Sequence, residues 1–354
     1  MTSSQSGIHV VQPATSSHSQ SERDRLIGKP RFHFEPQSVM QLLRERIIGQ
    51  DVALNEIEKM LHVVKADFSS PERPLSVTLM LGPTGVGKTE TVCLIAEAIY
   101  GRPDAFCRID MNTLAQKHYA AALTGAPPGY VGSKEGHSLF DETAIAGSHT
   151  RPGIMLFDEL EKASTEVIRG LMNVLDTGRL MLTAGTKTID FRNCMIFMTS
   201  NVGAQAAQQY LEKLSYLPQK VQQLCLKKVP TQQIIEKVMQ RKFDPEFLNR
   251  IDRTLHYQAI QNDVLPRLVE IELDKLNQRL QHQKRQIHLT DAAKAHFYQG
   301  HDIRYGARHL GRKIRTELEP ILAIYFLNHP EQLQLHLDCI DGQLLVHPQA
   351  SHPN

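Results

Sequence analysis

Tryptophan is absent from this 354-residue chain, and Phe, Tyr and Trp together make up only 6% of it. Its cores are therefore expected to be aliphatic. Cysteine is scarce as well. Five thiols, at positions 93, 107, 194, 225 and 339, form no C-x-x-C pair, and their number is odd. That pattern argues against a disulfide framework and for reduced thiols in a cytoplasmic protein. Neither sign of charge is in excess: 40 Lys and Arg oppose 38 Asp and Glu, a net +2. Such balance gives no electrostatic case for nucleic acid or an acidic membrane. No apolar run approaches the roughly 18–20 residues of a membrane span, and the N-terminus lacks the continuous apolar core of a signal peptide. The 17 histidines include no H-E-x-x-H, so a structural metal site is not expected.

What is present suits two globular domains, by length and by the 41% apolar fraction. Residues 1–33 are rich in Ser, Thr, Gln and His and read as a disordered tail. Pro36 to Arg46 reads as a short helix, and a second helix runs through Ile57, Leu61 and Val64. Val77–Leu81, Phe106–Met111, Gly153–Phe157 and Cys194–Met198 read as strands separated by helical stretches. That alternation predicts an α/β fold with a parallel central sheet. The pattern changes after Arg253. Leu265, Val269, Leu273, Leu276 and Leu280 form one apolar stripe, with Asn262 or Asp263 as cap and Pro266 in the first turn. A further helix is expected from about Arg308 to Leu327, then a hairpin turning at Asp341-Gly342. The expected division is a large domain over 34–254, a small α+β domain over 255–347 and a tail over 348–354.

One stretch organises the rest. Gly82-Pro83-Thr84-Gly85-Val86-Gly87-Lys88-Thr89 fits G-x-x-x-x-G-K-[ST], the phosphate-binding P-loop. Glycines let the backbone turn its amides toward phosphate oxygens. Lys88 supplies a point charge for the β/γ-phosphates, and Thr89 a hydroxyl for Mg²⁺. The strand before the loop and the helix after it give the required context, because a helix N-terminus favours anions. Asp158 and Glu159 end the third strand, as in the second nucleotide-binding motif. Asp158 suits Mg²⁺, and Glu159 suits a general base that polarises water. Asn201 ends the fourth strand, where an amide could orient that water or touch the γ-phosphate.

Further motifs follow in a fixed order: Asp158-Glu159-Leu160-Glu161-Lys162-Ala163, Asp190-Phe191-Arg192-Asn193, Met198-Thr199-Ser200-Asn201, Phe247-Leu248-Asn249-Arg250-Ile251-Asp252 and Tyr305-Gly306-Ala307-Arg308. Together with the P-loop they resemble the AAA+ ATPases of the Clp/ClpB group, specifically their C-terminal ATPase module with its small domain. The likeness runs from about Pro36 to Val346. It implies an AAA+ P-loop NTPase that hydrolyses ATP with Mg²⁺ and assembles into a ring of identical subunits, a hexamer. It further implies Asn201 as the sensor-one residue, Arg250 as an arginine finger reaching a neighbouring subunit, and Arg308 as the sensor-two arginine. Such a finger is worth about 10³–10⁵ in rate. Ile47 and Ile48 match the segment that packs on adenine. Gly125 to Gly132 resembles the pore loop of these unfoldases, with Tyr130 and Val131 gripping protein substrate. Asp176 to Leu180 matches the start of a second channel-facing loop.

The resemblance has departures. A first ATPase ring, a coiled-coil middle domain and a substrate-binding N-terminal domain are not evident, which argues against disaggregation with the usual partner chaperones. Gly132 is followed by Ser133 where the family commonly has Tyr, and Asp244 stands where it usually has Arg. Between Asn201 and Arg250 there is no Ile-Gly-Phe or Ile-Gly-Leu tripeptide, so docking to a Clp-type peptidase is not supported. The expected function is ATP-dependent unfolding or remodelling of protein. The alternatives are the ATPase subunit of a Clp-like protease, or a module that remodels a nucleic-acid or secretion complex.

Overall fold

The computed structural model describes residues 30–115, 139–182, 187–218, 220–221, 231–299 and 306–348. Tyr130, Val131, Tyr305 and the segment before residue 30 lie outside them.

Helix α1 (Pro36–Arg46) opens on Pro36, where no amide is needed, and buries Val39, Met40 and Leu43. Helix α2 (Asp51–Lys65) buries Ile57, Leu61 and Val64 along one face. Strand β1 (Ser76–Leu81) is buried at every position, as a strand covered on both faces must be. Helix α3 (Lys88–Tyr100) follows the glycine-rich loop and stops at Gly101, whose left-handed backbone caps it. Next come β2 (Cys107–Asp110), α4 (Glu142–Ala146), β3 (Gly153–Asp158) and α5 (Thr165–Thr177). The chain continues through β4 (Arg179–Leu182), β5 (Lys187–Asp190), β6 (Cys194–Ser200) and α6 (Ala204–Ser215). Helices α7 (Thr231–Lys242) and α8 (Pro245–Leu248) lead into β7 (Arg253–His256).

Among the described residues, one sheet pairs its strands in the order β2-β3-β6-β1-β7, all parallel. Side chains alternate across it. Met80, Ile154, Leu156 and Phe197 join a core with α1, α2 and α3. Leu79, Leu81, Phe157 and Met198 join a second core with α5 and α7. The sequence reading has four strands and a domain change near Arg253; the structure adds β7 beside β1. As an edge strand β7 fully buries only Leu255, so it lacks the apolar run that marks its neighbours. The segment Asp176 to Leu180, matched to the start of a channel-facing loop, closes α5 and begins the β4–β5 antiparallel pair.

The C-terminal part comprises α9 (Leu265–Leu280), β8 (Gln286–Leu289), α10 (Asp291–Tyr298), α11 (Ala307–Lys313), α12 (Glu319–Asn328), β9 (Gln334–Ile340) and β10 (Gln343–Pro348). Leu265, Val269, Leu273 and Leu276 of the α9 stripe are buried as expected, and Leu280 is half-buried. Neither Asn262 nor Asp263 caps it through a side chain. A 3₁₀ turn over Asn262–Val264 leads in, and its tighter bonds satisfy the first amides. The helix expected over 308–327 forms, but with a π turn at Ile314–Leu318 between α11 and α12. Pro320 follows at once, and it has no amide for the carbonyl four residues back. The Asp341-Gly342 turn forms with φ of 51° and 79°, the primed geometry that joins antiparallel strands. Strand β8, unforeseen in the sequence, pairs with β9 in parallel. Leu268, Ile271, Leu310, Ile314 and Leu335 belong to the same core as α1, α2 and α3, so the C-terminal helices pack directly on the sheet domain.

Candidate active site

Strand register brings the motifs together. Leu81 lies opposite Ser200, and Phe157 opposite Met198. The carboxyl ends of β1, β3 and β6 therefore stop at one level, and the segments beyond them converge. Ligand crevices of open α/β sheets lie there. Gly82 leaves β1 at φ 154°, and a Cβ on it would fall 2.5 Å from the Tyr257 carbonyl oxygen. No other residue fits so close an approach.

Lys88 begins α3 and is 8% exposed. Its ammonium donates to the carbonyls of Gly82 at 2.7 Å and Pro83 at 2.6 Å, and to Asn201 Oδ1 at 2.9 Å. Burial pushes it down to about 8; Glu161, Asp158 and Glu159 pull upward and Arg308 pushes downward. Three acceptors around Nζ require the protonated form, because a neutral amine has only two hydrogens. The Asn201 amide N–H in turn donates to Glu161 Oε1 at 3.2 Å. Asn201 is thus tied to both the P-loop and the acidic motif.

Asp158 is 6% exposed. Arg108 Nη2 donates to its Oδ2 at 2.6 Å, and the Thr199 hydroxyl donates to its Oδ1. Thr89 Oγ1 lies 3.5 Å from both carboxylate oxygens. Glu159 follows in the left-handed region at φ 58°, strained for a residue other than glycine and common at functional sites. Its amide donates to Thr199 Oγ1 at 3.0 Å, so one hydroxyl fixes both acidic residues.

The C-terminal helices close the cleft. Ala307 N–H donates to Gly85 O at 2.9 Å. Gly306, at φ 57°, lies so close that a Cβ would meet the same oxygen at 2.5 Å. Lys275 of α9 pairs with Glu90 of α3 at 3.0 Å. The resulting cleft has a volume of about 600 Å³ and is lined by Ile47, Ile48, Thr84 to Glu90, Arg108, Asp158, Glu159, Thr199, Asn201 and Arg308, among others. Small-molecule sites commonly span about 300–1,000 Å³. Arg46, Lys88, Arg108, Lys275, Arg308, Arg312 and Arg315 oppose Glu90, Asp158, Glu159 and Glu272 around it. That surplus of positive charge suits a polyphosphate.

Arg250 is not brought to this cleft. Its Nε pairs with Asp176 at 2.6 Å, and its Nη1 donates to the Glu246 carbonyl. Arg108, Glu161 and Thr199 are site residues that the sequence reading did not single out for a role. Strand β2 buries Cys107 and Ile109 and exposes Arg108 and Asp110, an alternation that does not by itself set Arg108 apart.

Comparison with known proteins agrees with this geometry. Residues 73–254 match the family described as AAA domain (Cdc48 subfamily). Residues 260–334 match the C-terminal, D2-small domain, of ClpB protein. The chain is 47% identical over 304 residues to the ATP-dependent protease ATP-binding subunit-like protein AmiB of Pseudomonas aeruginosa, covering 85% of this chain and 82% of that one. It is 39% identical over 287 residues to an ATP-dependent protease ATP-binding subunit-like protein of Rhodococcus erythropolis, covering 80% and 81%. Identity to the negative regulator of genetic competence ClpC/MecB of Bacillus subtilis is 36% over 352 residues, covering 98% of this chain but 40% of that one. The chain belongs to the Clp/ClpB group of AAA+ proteins and is an ATPase.

Proposed function

We propose that the chain is an ATP-driven unfoldase of the cytoplasm, working as a ring of six copies that pulls polypeptide through a central channel. The observation that carries the nucleotide half of this reading is the convergence of Lys88, Thr89, Asp158, Glu159, Asn201 and Arg308 on one cleft. The backbone from Gly82 to Gly87, the N-terminus of α3 and Lys88 cradle the phosphates of ATP. Ile47 and Ile48 hold the adenine. Thr89 and Asp158 are hard oxygen donors facing each other at 3.5 Å, a pair that fits Mg²⁺. Mg²⁺ supplies neutralisation of charge on the phosphates. Glu159 accepts a proton from the attacking water, and Asn201 orients that water while holding Lys88. Arg250 from an adjacent copy stabilises the transition state. Arg308 reports the nucleotide state to the C-terminal helices, and Tyr130 and Val131 grip the substrate.

A second reading has support of its own. The relatives from Pseudomonas and Rhodococcus are named for ATP-dependent proteases, which favours an ATPase subunit working beside a peptidase. The lack of an Ile-Gly-Phe or Ile-Gly-Leu tripeptide between Asn201 and Arg250 weighs toward the stand-alone unfoldase.

The test is Glu159→Gln with ATP. Loss of the general base should slow hydrolysis by about 10²–10⁴ while ATP binding persists. The stalled ring should then retain unfolded polypeptide on an affinity column. Unchanged turnover, or no retained polypeptide, would sink the reading. A peptidase recovered in fixed ratio with the wild-type chain would favour the second one.

A further inference from the structure

Arg108 stands in a position that the proposed mechanism leaves unexplained. It sits on β2 opposite Leu156 of β3, and strand alternation turns it into the cleft. Its guanidinium bonds Asp158 Oδ2 at 2.6 Å, with the arginine side chain 50% exposed and the aspartate 8%. Asp158 Oδ1 is engaged by Thr199. Both carboxylate oxygens are therefore occupied by internal donors, while the Thr89 hydroxyl lies no closer than 3.5 Å to either. A divalent cation taken up by Asp158 and Thr89 would meet a guanidinium already bonded to the same carboxylate. Like charges sharing one buried anion repel, and the exposed partner is the one free to move. The nearest replacement anion would be phosphate bound in the same cleft, which Lys88 and Arg108 both line.

We infer that Arg108 is a positioning residue that holds the Asp158 carboxylate until metal and nucleotide arrive, then yields it to the metal and turns to the phosphates. This rests on the proposed metal role of Asp158. Arg108 then competes with the cation and assists the nucleotide. A residue that merely propped Asp158 would do the opposite, since its loss would weaken metal binding.

Two binding measurements on the full chain separate these roles. One is Mn²⁺ titration without nucleotide, followed by electron paramagnetic resonance. The other is titration of a fluorescent ATP analogue without divalent metal. Arg108→Ala should bind Mn²⁺ at least threefold tighter and the metal-free analogue at least threefold weaker. Arg108→Lys, which keeps the charge, should retain most of the analogue binding. If the alanine variant does not fold, Arg108→Gln carries the same expectations as alanine. Mn²⁺ affinity that is unchanged or weaker on removal of the charge overturns the inference. Asp158→Asn separates the two claims. If it binds Mn²⁺ like the wild type, the metal role of Asp158 falls and this inference with it. If it loses the ion while Arg108→Ala fails to tighten, only the role of Arg108 falls.

Discussion

Lys88→Met should weaken nucleotide binding and also lower the stability of the nucleotide-free chain. At pH 7, Lys88 is protonated in both the folded and unfolded chain, and only the folded chain buries the charge. The drop from an ordinary 10.5 to about 8, at about 1.36 kcal/mol per pKa unit, means that the buried charge lowers stability by on the order of 3 kcal/mol. Methionine keeps a similar length and removes that penalty. It also removes the bonds from this charged donor to Gly82 O, Pro83 O and Asn201 Oδ1, each worth about 1.5–3 kcal/mol. The lost bonds outweigh the relieved penalty, so the nucleotide-free Tm should fall by roughly 3–12 °C. With nucleotide, the variant loses charge-assisted bonds to phosphate of about 1.5–3 kcal/mol, a Kd roughly 10- to 150-fold higher. Thermal unfolding without nucleotide and titration of a fluorescent ATP analogue measure the two effects. A nucleotide-free Tm equal to or above that of the wild type, or affinity within about threefold of wild type, would refute the reasoning.

Two further outcomes follow from the same geometry. Nucleotide binding should weaken as pH rises above about 8: below that value Lys88 is protonated with and without phosphate, and above it the free site must regain a proton on binding. Calorimetry at pH 9 in two buffers of different ionisation enthalpy should show proton uptake, and its absence would count against a phosphate contact by Lys88. Thr199→Val should strand Asp158 Oδ1 and the Glu159 amide, lowering stability by about 2–4 kcal/mol. Thr199→Ser should restore most of it, and an unshifted denaturation midpoint for the valine variant would remove Thr199 from the account.

The P-loop, its strand and its helix were legible because phosphate chemistry dictates residue type and order together. Central strands were legible as unbroken apolar runs, and β1, β3 and β6 are buried throughout. Strands β7 and β8 were not. Each has four residues with mixed burial, and what pairs them lies far away in sequence. Asp158 and Asn201 were visible as strand-end residues. That Asn201 bonds Lys88, and that Thr199 ties Asp158 to Glu159, depends on strand register, which one sequence does not display. Arg108 resembles any other arginine until β2 and β3 are set side by side. Arg250 gained a role only through resemblance, and within its own chain it pairs with Asp176.

The most direct test of polypeptide unfolding follows the fluorescence of a green fluorescent protein bearing an unstructured tail, mixed with the full chain and ATP. Fluorescence should fall with ATP and hold steady with ADP. Tyr130→Ala should keep its ATPase rate and lose the fluorescence decay. A wild-type chain that hydrolyses ATP without unfolding the tagged protein, or a Tyr130→Ala chain that unfolds it at the wild-type rate, would contradict the account.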